Sequence, residues 1–393
     1  MDIKKSYFWA LAATAALTTI LALYLSNRAL DPVPPPSTDI LVGEEVDVEN
    51  ESEATPKNEI PPEEKINFIL SDLSIPWEIV FLPDEAILVS ERTGDLIKYQ
   101  DGRSEKISIA NVAAVGEGGL LGMVLHPDFN NNNYIYLYFT VSENNKLSNK
   151  IVRYYLSLAP FALTDPQEII KDVPGSNNHN GGRIAFGPDE KLYVTTGDAG
   201  NANAAQNRDS LAGKILRLND NGSIPADNPF GSAVWSYGHR NAQGLTWDDA
   251  GRLWATEHGR SGALSGLDEL NLIEPGKNYG WPLIQGDDQQ TEMIAPRLHS
   301  GAKTTWAPAS LAYYDNYLYF AGLRGEALYA VPVNENGDLG DLETFFMGDY
   351  GRLRIVKVGP DNSFYLGTSN QDGRGRVRAG DDKIIKMAPN AWK

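Results

Sequence analysis

The sequence contains no cysteine, which excludes disulfide bonds, thiolate metal ligands and cysteine nucleophiles. It also lacks a concentrated basic stretch. Its 34 basic residues stand against 52 acidic ones, and the resulting net charge of −18 argues against a nucleic-acid partner. The 5 histidines show neither HxH nor HxxxH spacing and no G-x-S-x-G motif occurs, so a zinc site and a serine hydrolase are not indicated. A hydrophobic content of 42% nevertheless predicts a globular protein.

The N-terminal segment, residues 1–30, is predicted to be a membrane anchor or a signal segment. Tyr7 to Leu25 form a nearly unbroken apolar run of 19 residues behind Lys4 and Lys5. As a helix this run would extend roughly 28 Å, close to the thickness of the bilayer hydrocarbon. The lysines before it place the rest of the chain outside the cytoplasm. We therefore expect an exported protein at the extracytoplasmic face of the cytoplasmic membrane, or a secreted one if the segment is a cleaved signal peptide.

Residues 31–65 are predicted to form a disordered, proline-rich acidic linker. Pro34, Pro35 and Pro36 precede a tract in which ten acidic residues between positions 39 and 64 are opposed by Lys57 alone. Such a segment has too little apolar surface to offset the chain entropy of folding. About half of the net charge lies here, so the domain that follows is only mildly acidic.

Residues 66–393 are predicted to form an all-β, six-bladed β-propeller, because one hairpin pattern recurs along them. Each copy has an apolar strand, a turn rich in Pro, Asp or Asn, and a second strand with aromatic or β-branched residues at period two. Spacings of 45 to 66 residues are typical of propeller blades. A β-sandwich or a solenoid is the alternative. The longer segments 199–213 and 259–267 are expected to be loops on the face that carries the site. The copies occupy residues 79–91, 124–140, 184–198, 245–259, 311–325 and 356–370.

The segment 177–200 contains a candidate acid–base pair. His179 precedes one strand of a predicted hairpin and Asp198 follows the other, so the hairpin brings both to one edge. The carboxylate could orient the imidazole and raise its basicity for proton abstraction. From the residues alone it is equally possible that His179 caps a turn and Asp198 binds main-chain amides.

Two further loops carry candidate ligand-binding groups. Arg240 and Asn241 lie in a glycine-flanked loop, where they could present a cation and an amide to a ligand, or where the arginine could serve a structural salt bridge. His258 and Gly259 occupy a later strand end, and the glycine-rich stretch after them could turn carbonyls towards a hard cation. Glu257 and Asp268 could be metal ligands or turn caps, and Trp281 is expected to fill core in a packed turn.

A candidate anion site comes from arginines near the C-terminus. Arg352 and Arg354 alternate at the start of a predicted strand, so period two places them on one face. Two guanidinium groups on one face repel each other unless an anion or a buried acid lies between them. Arg324 occupies a similar position one copy earlier. A surface network of ion pairs is the alternative.

Several of these stretches, in this order, resemble the soluble pyrroloquinoline-quinone (PQQ) dependent sugar dehydrogenases, the glucose/sorbosone dehydrogenase family, and its aldose-type branch in particular. The resemblance covers roughly residues 70–390 and implies a six-bladed propeller. It also implies PQQ and Ca²⁺ as cofactors, a small sugar as substrate, and an external electron acceptor that is a quinone or a small redox protein. The stretches that carry it include GEGGLLGMVLHPDF, HNGGRIAFGPD, YGHRNAQGL, EHG, DELNLI, GKNYGWP and GRLRIVKVGPDNSFYLGT.

The resemblance further implies a mechanism of aldose oxidation to a lactone. His179 matches the base that removes the proton of the anomeric hydroxyl while a hydride passes from the sugar C1 to the quinone C5, and Asp198 matches the residue that orients this base. Arg240 and Asn241 match the pair beside the reactive quinone carbonyl.

The remaining implied contacts surround the cofactor. Arg324, Arg352 and Arg354 match the cations that offset its three carboxylates. Main-chain oxygens of Gly259 and Arg260 match ligands of the calcium ion, whose role as a Lewis acid is to polarise the accepting carbonyl.

The sequence departs from the family pattern at several positions that are expected to contact the cofactor. Glu117 replaces a glutamine, and its charge is expected to repel an anionic quinone; Arg324 replaces a lysine and His258 replaces another glutamine. An insertion at 260–266 lengthens the connection to Asp268, which places the calcium geometry in question. Two alternative functions therefore stay open: a non-catalytic propeller that binds saccharide or protein, and a calcium-dependent lactonase.

Overall fold

The computed structural model describes residues 66–261, 266–389 and 391–392. The predicted anchor at 1–30 and the predicted linker at 31–65 lie outside these residues. Among the residues described, no helix has the length and apolar character needed to cross a bilayer.

The regular secondary structure of the described residues is almost wholly β-strand. Twenty-four strands form six four-stranded antiparallel sheets, which we call blades. A short helix α1 (Phe129–Asn132) and a 3₁₀ helix (Ala202–Gln206) lie in connecting loops. The strands are β1 (Ile66–Leu70), β2 (Pro76–Phe81), β3 (Ile87–Glu91), β4 (Asp95–Gln100), β5 (Arg103–Ser108), β6 (Leu120–Leu125), β7 (Tyr134–Glu143), β8 (Lys146–Leu158), β9 (Phe161–Pro174), β10 (Ile184–Phe186), β11 (Leu192–Thr195), β12 (Lys214–Leu218), β13 (Val234–Tyr237), β14 (Ala242–Trp247), β15 (Leu253–Glu257), β16 (Glu269–Ile273), β17 (Leu298–His299), β18 (Pro308–Tyr314), β19 (Tyr317–Gly322), β20 (Ala327–Pro332), β21 (Glu343–Phe345), β22 (Leu353–Val358), β23 (Phe364–Thr368) and β24 (Ile384–Met387).

The predicted six-bladed propeller is confirmed. Every repeated hairpin supplies the first two strands of a blade: β2–β3, β6–β7, β10–β11, β14–β15, β18–β19 and β22–β23. The strands β2, β6, β10, β14, β18 and β22 contact one another in turn and close a ring. These strands are short and alternate in side-chain direction, so a pattern of period two was enough to locate them.

The ring is closed by the two ends of the described chain. β1 pairs antiparallel with β24 as the outermost strand of the sixth blade, with Ile66 opposite Met387 and Phe68 opposite Ile385. The sixth blade thus takes three strands from the C-terminal part of the chain and one from residues 66–70.

The hydrophobic core lies between the blades. Each pair of neighbouring blades shares one cluster of buried side chains, so the described residues contain one apolar cluster at each of the six interfaces. Trp77 and Trp254 are fully buried in two of them. Because neighbouring blades cover both faces of the inner strands, strands such as β2 and β3 are buried on both sides, and the loops at the rim are free to carry polar groups.

Candidate functional site

The predicted site residues occupy equivalent places in successive blades. They lie just before an innermost strand, within its first residues, just after the second strand, or just before the third strand. Antiparallel pairing brings these positions to the same edge of a blade, so the residues gather on one face of the ring. Glu117 precedes β6, His179 precedes β10, Asp198 follows β11, Arg240 and Asn241 precede β14, His258, Gly259 and Arg260 follow β15, Asp268 precedes β16, Arg324 follows β19, Arg352 precedes β22, and Arg354 lies in β22.

A cavity of about 320 Å³ opens at this face. Its volume lies within the range of small-molecule sites. Three predicted residues, Asp198, Asn241 and Arg354, are buried and do not line it. The other nine line it: Glu117, His179, Arg240, His258, Gly259, Arg260, Asp268, Arg324 and Arg352.

The predicted pair of His179 and Asp198 forms a direct hydrogen bond. His179 Nδ1 lies 2.7 Å from Asp198 Oδ1, and the imidazole is 12% exposed while the carboxylate is 2% exposed. His179 has a left-handed backbone with φ of 58°. The turn brings its carbonyl so close to Gly197 that a Cβ on that residue would lie 1.9 Å from the oxygen. Only a glycine at position 197 therefore allows the loop that carries His179 to approach the loop that carries Asp198.

Asp198 is held as an anion by its surroundings. The amide of Gly200 donates to Oδ1 at 2.8 Å, and the indole N–H of Trp281 donates to Oδ2 at 2.9 Å. Burial alone would raise the pKa of Asp198, but these hydrogen bonds and the one from His179 outweigh it and lower the pKa. An ionised Asp198 accepts the Nδ1 proton of a neutral His179, so Nε2 is left as an acceptor.

Trp281 is only partly buried, so the expectation that it fills core is wrong. It lies at the site instead, where its ring contacts the guanidinium of Arg240 at 5.3 Å. The indole thus touches both the residue that orients the imidazole and the cation beside it. No motif in the sequence marks this role, because the Trp281 turn is 83 residues away from Asp198.

Arg240 is fixed on all sides. Its Nη1 donates to the carbonyl of His258 at 3.2 Å and its Nη2 to the hydroxyl of Ser261 at 2.8 Å. Burial lowers its pKa. Ser261 belongs to the inserted segment, so the insertion contributes a contact to this arginine.

A network of buried hydrogen bonds holds the main chain of Arg240 in place. Glu257 accepts the Arg240 amide and also lies 2.9 Å from His239 Nδ1, while His239 Nε2 lies 2.8 Å from the Ser236 hydroxyl. Ser236, His239 and Glu257 are each at most 3% exposed. From the sequence alone, Glu257 could be a metal ligand or a turn cap. In the structure, its carboxylate accepts a hydrogen bond from the main-chain N–H of Arg240.

Four buried side-chain nitrogens of the predicted site residues have no hydrogen-bond partner among the described residues: Asn241 Nδ2, His258 Nε2, Arg260 Nε and Arg354 Nε. Asn241 accepts the Gly181 amide at 3.0 Å through Oδ1, but its Nδ2 is unpaired, and so is Nε2 of His258. Burial lowers the pKa of His258 to about 4, so its imidazole is neutral near pH 7. Unpaired buried polar groups are costly and suggest a missing ligand with acceptor atoms.

The three predicted anion-binding arginines have different surroundings. Arg352 donates to Asp372 through Nε at 2.9 Å and Nη2 at 2.7 Å, and to the Leu323 carbonyl at 3.0 Å. Arg354 contacts Gln243 at 3.1 Å and has an unpaired Nε, and burial lowers its pKa to about 9. Arg324 is exposed at the cavity wall and its guanidinium has no partner within the described residues. Arg352 is thus engaged by a local acid, but this ion pair is buried and is not the surface network that was the alternative.

Asp268 organises the wall of the cavity around the predicted calcium position. Its Oδ1 accepts the Gly259 amide at 2.8 Å, and its Oδ2 accepts Thr305 Oγ1 and the amides of Trp306 and Ala307 at 2.7 to 2.9 Å. These four hydrogen bonds occupy the carboxylate. Arg260 and Gly266, near the two ends of the insertion, form an isolated antiparallel bridge. No group of three or more His, Asp or Glu side chains within the described residues could hold a metal ion.

Glu117 contacts two groups that sequence analysis did not connect. Its Oε2 accepts the main-chain N–H of His179 at 2.9 Å, and its Oε1 accepts Nη1 of Arg374 at 2.8 Å. Burial opposes ionisation, but these hydrogen bonds outweigh it and lower the pKa of Glu117 to about 2. Glu117 is thus an anion whose charge is paired with that of Arg374. The expectation that Glu117 repels an anionic quinone did not take this ion pair into account.

A six-bladed propeller with a histidine–aspartate pair, unpaired donors and several guanidinium groups around one cavity defines a class: ligand-binding propellers equipped for acid–base chemistry. Comparison with known proteins specifies the family. The family model described as glucose/sorbosone dehydrogenase matches residues 73–378. The chain belongs to this family of oxidoreductases.

Individual relatives agree with this assignment. The aldose sugar dehydrogenase YliI of Escherichia coli is 32% identical over 365 residues, covering 84% of this chain and 94% of its own. The quinoprotein glucose dehydrogenase B of Acinetobacter calcoaceticus is 36% identical over 253 residues, covering 56% and 52%. A solved structure of the PQQ-bound aldose sugar dehydrogenase of Streptomyces coelicolor superposes with a TM-score of 0.76 at 39% identity, covering 82% of this chain and 96% of that one.

Proposed function

We propose that the protein oxidises the anomeric carbon of an aldose to a lactone, with PQQ as cofactor and calcium as metal ion. The observation that carries this proposal is the hydrogen bond between His179 and Asp198 at the wall of the cavity. A neutral imidazole fixed through Nδ1 offers Nε2 to the cavity as a proton acceptor. General-base catalysis of this kind contributes roughly 10²- to 10⁴-fold to a rate.

The residues around the cavity fit an anionic ligand that is rich in carbonyl and carboxylate oxygens. Two residues that line the cavity, His258 and Arg260, have an unpaired nitrogen that is a donor or can become one by choice of tautomer. Asn241 and Arg354 also have an unpaired nitrogen, but these two residues do not line the cavity. Arg324 adds an unpaired positive charge at the wall. These residues would hold PQQ, and when bound it would supply the acceptor for the hydride that leaves the sugar C1.

A hard cation would have main-chain oxygens rather than a carboxylate cage as its protein ligands. The Arg260 carbonyl has a loose partner, the Gly266 amide at 3.4 Å, and Gly259 precedes it in the same cavity wall. Asp268 fixes the conformation here by accepting the Gly259 amide. The two carbonyls would provide part of an oxygen coordination shell, which Ca²⁺ tolerates in irregular geometry.

The side chains divide the work on the substrate. His179 would take the hydroxyl proton at Nε2, and Asp198 would stabilise the imidazolium that forms. Arg240, held by the His258 carbonyl and by Ser261, would present a fixed positive charge where negative charge develops. Because its partners are already in place, little reorganisation is needed during the reaction.

The test is reduction of an artificial electron-accepting dye by the purified full-length chain, reconstituted with PQQ and calcium, across a panel of aldoses. We expect turnover, and we expect His179→Gln to lower kcat by about 10²-fold or more. The matched control is His126→Gln, which removes a histidine lying 3.6 Å from Asp220 at a separate concavity. It should retain turnover. Sugar binding without dye reduction would support a non-catalytic propeller instead, and lactone hydrolysis without PQQ would support a lactonase.

We also propose that the reaction takes place outside the cytoplasm and that a quinone or a small redox protein accepts the electrons. The support is the apolar run from Tyr7 to Leu25 behind two lysines. Fractionation of the producing cells tests this. Recovery of the chain in the cytoplasmic fraction would contradict it.

A further inference from the structure

We propose that Glu117 and Arg374 act as one unit in which Glu117 positions His179 and Arg374 neutralises Glu117, so that the cavity can accept an anionic ligand. The proposal rests on the proposed function insofar as that ligand is PQQ. Arg374 acts only through Glu117 in this proposal, and the mechanism described above assigns no role to Arg374.

The first step is the contact between Glu117 and His179. The carboxylate accepts the His179 amide at 2.9 Å, from a loop in a different blade. His179 has a φ of 58°, a conformation that is unfavourable for a residue with a side chain. A hydrogen bond to the amide of the strained residue holds the backbone where the imidazole can reach Asp198.

The second step is the charge. An ionised carboxylate at the cavity wall, 18% exposed, would repel an anionic ligand in the same space. Arg374 Nη1 lies 2.8 Å from the oxygen that His179 does not use, and its guanidinium also lines the cavity. The pair therefore leaves one carboxylate oxygen for positioning and uses the other for neutralisation.

Other cations lie within electrostatic range of Glu117 but are engaged elsewhere. Arg240 contacts the His258 carbonyl and Ser261, and Arg354 contacts Gln243. Arg92 and the neutral His258 also lie within electrostatic range of Glu117. In the described residues, Arg374 alone makes a salt bridge with Glu117.

The pairing predicts a non-additive double-mutant cycle in PQQ affinity. We titrate PQQ into the cofactor-free full-length chain with calcium present and follow quenching of tryptophan fluorescence. Arg374→Gln should weaken PQQ binding by about tenfold or more, because Glu117 is then unpaired. Glu117→Gln should change the affinity for PQQ by less than about threefold. Adding Arg374→Gln to Glu117→Gln should also change the affinity by less than about threefold.

The matched control is Arg376→Gln, which removes the same charge from the same exposed loop without touching Glu117. It should leave the PQQ affinity within about twofold, since exposed charges are screened by solvent. If Arg374→Gln weakens binding equally in the presence and absence of Glu117, then Arg374 binds PQQ directly and the proposal is overturned. Equal losses for Arg374→Gln and Arg376→Gln would also overturn it.

The positioning half can be tested without any cofactor. Hydrogen exchange, measured by mass spectrometry on the peptide that contains His179, reports whether the main-chain N–H of His179 is hydrogen-bonded to Glu117. Exchange should accelerate in Glu117→Ala and stay slow in Glu117→Gln, which keeps an acceptor oxygen. If the wild-type chain binds no PQQ, the proposed function fails, but this measurement still decides the role of Glu117. Slow exchange in Glu117→Ala would refute that role.

Discussion

Trp281 donates its indole N–H to Asp198 Oδ2 at 2.9 Å, the carboxylate oxygen that His179 does not contact. The other oxygen receives His179 and the Gly200 amide. The plane of the carboxylate is therefore fixed by donors on both oxygens, and the imidazole is oriented by a group that cannot rotate. The same indole ring lies against Arg240, so a single side chain supports both the base and the neighbouring cation.

Trp281→Phe should lower turnover while leaving most of the packing intact. The phenyl ring retains an aromatic face for Arg240 but loses the donor to Asp198. We expect kcat for dye reduction to fall about 10- to 150-fold, which corresponds to the roughly 1.5–3 kcal/mol of one hydrogen bond to a charged group. Trp235→Phe is the control, because the Trp235 indole N–H is buried without a partner in the described part of the chain. A fall of equal size in both variants would contradict the role of Trp281.

Asp268→Asn should destabilise the cavity wall. The asparagine side chain has an NH2 group in place of one carboxylate oxygen, and this group cannot accept a hydrogen bond. At least one of the N–H or O–H groups that donate to Asp268 therefore loses its acceptor. The expected loss is about 2–4 kcal/mol in the free energy of unfolding, measured by urea denaturation. Asp287→Asn, at a side chain that is 94% exposed, should change the stability by less than about 0.5 kcal/mol. Equal stabilities for the two variants would show that Asp268 is not an anchor.

Arg324→Gln should weaken PQQ binding without changing the stability of the fold. Its guanidinium lines the cavity and has no partner among the described residues, so its removal breaks no contact there. We expect a loss of about tenfold in PQQ affinity by fluorescence titration, as for one charge-assisted hydrogen bond. Arg352→Gln should reduce stability as well, because Arg352 joins Asp372 to the Leu323 carbonyl. If PQQ affinity is unaffected by Arg324→Gln, the assignment of this arginine is wrong.

The stability of the protein should depend on the ionisation of Glu117 in acid. Its pKa in the folded state is lowered from 4.5 to about 2, so the native state favours the anion. This contribution is fully present above about pH 4.5 and is lost as the pH falls through about 2.

The free energy of unfolding, measured by urea denaturation between pH 6 and pH 2, should therefore show this loss in the wild type and less of it in Glu117→Gln. We expect the two to differ by on the order of 2 kcal/mol at pH 6 and to converge near pH 2. Glu143→Gln, at an exposed position, serves as the control and should follow the wild type. Parallel curves for wild type and Glu117→Gln would refute the shift.

The fold could be predicted because its signal is local. Each hairpin spans only 13 to 17 residues, and alternation along a strand fixes which side chains face the neighbouring blade. The positions of His179 and Asp198 at one edge follow from hairpin geometry, and the structure brings the two together.

The rest of the site depends on contacts between blades, which no local pattern records. Glu117 and Arg374 are 257 positions apart, and their pairing exists only because the ring brings the sixth blade next to the loop before β6. The pairing of Arg352 with Asp372, and the capture of Arg240 by Ser261, likewise depend on loop paths that period-two alternation does not fix. The predictions for the calcium ligands Gly259 and Arg260 stay predictions.

The pairing of β1 with β24 has a consequence for biogenesis. During synthesis on the ribosome, Ile66–Leu70 emerges more than three hundred residues before its partner Ile384–Met387. Until that partner is released from the exit tunnel, the early strand has an unsatisfied edge that other chains could capture. The sixth blade therefore cannot be completed, and the ring cannot close, before the last strand of the chain is available for pairing.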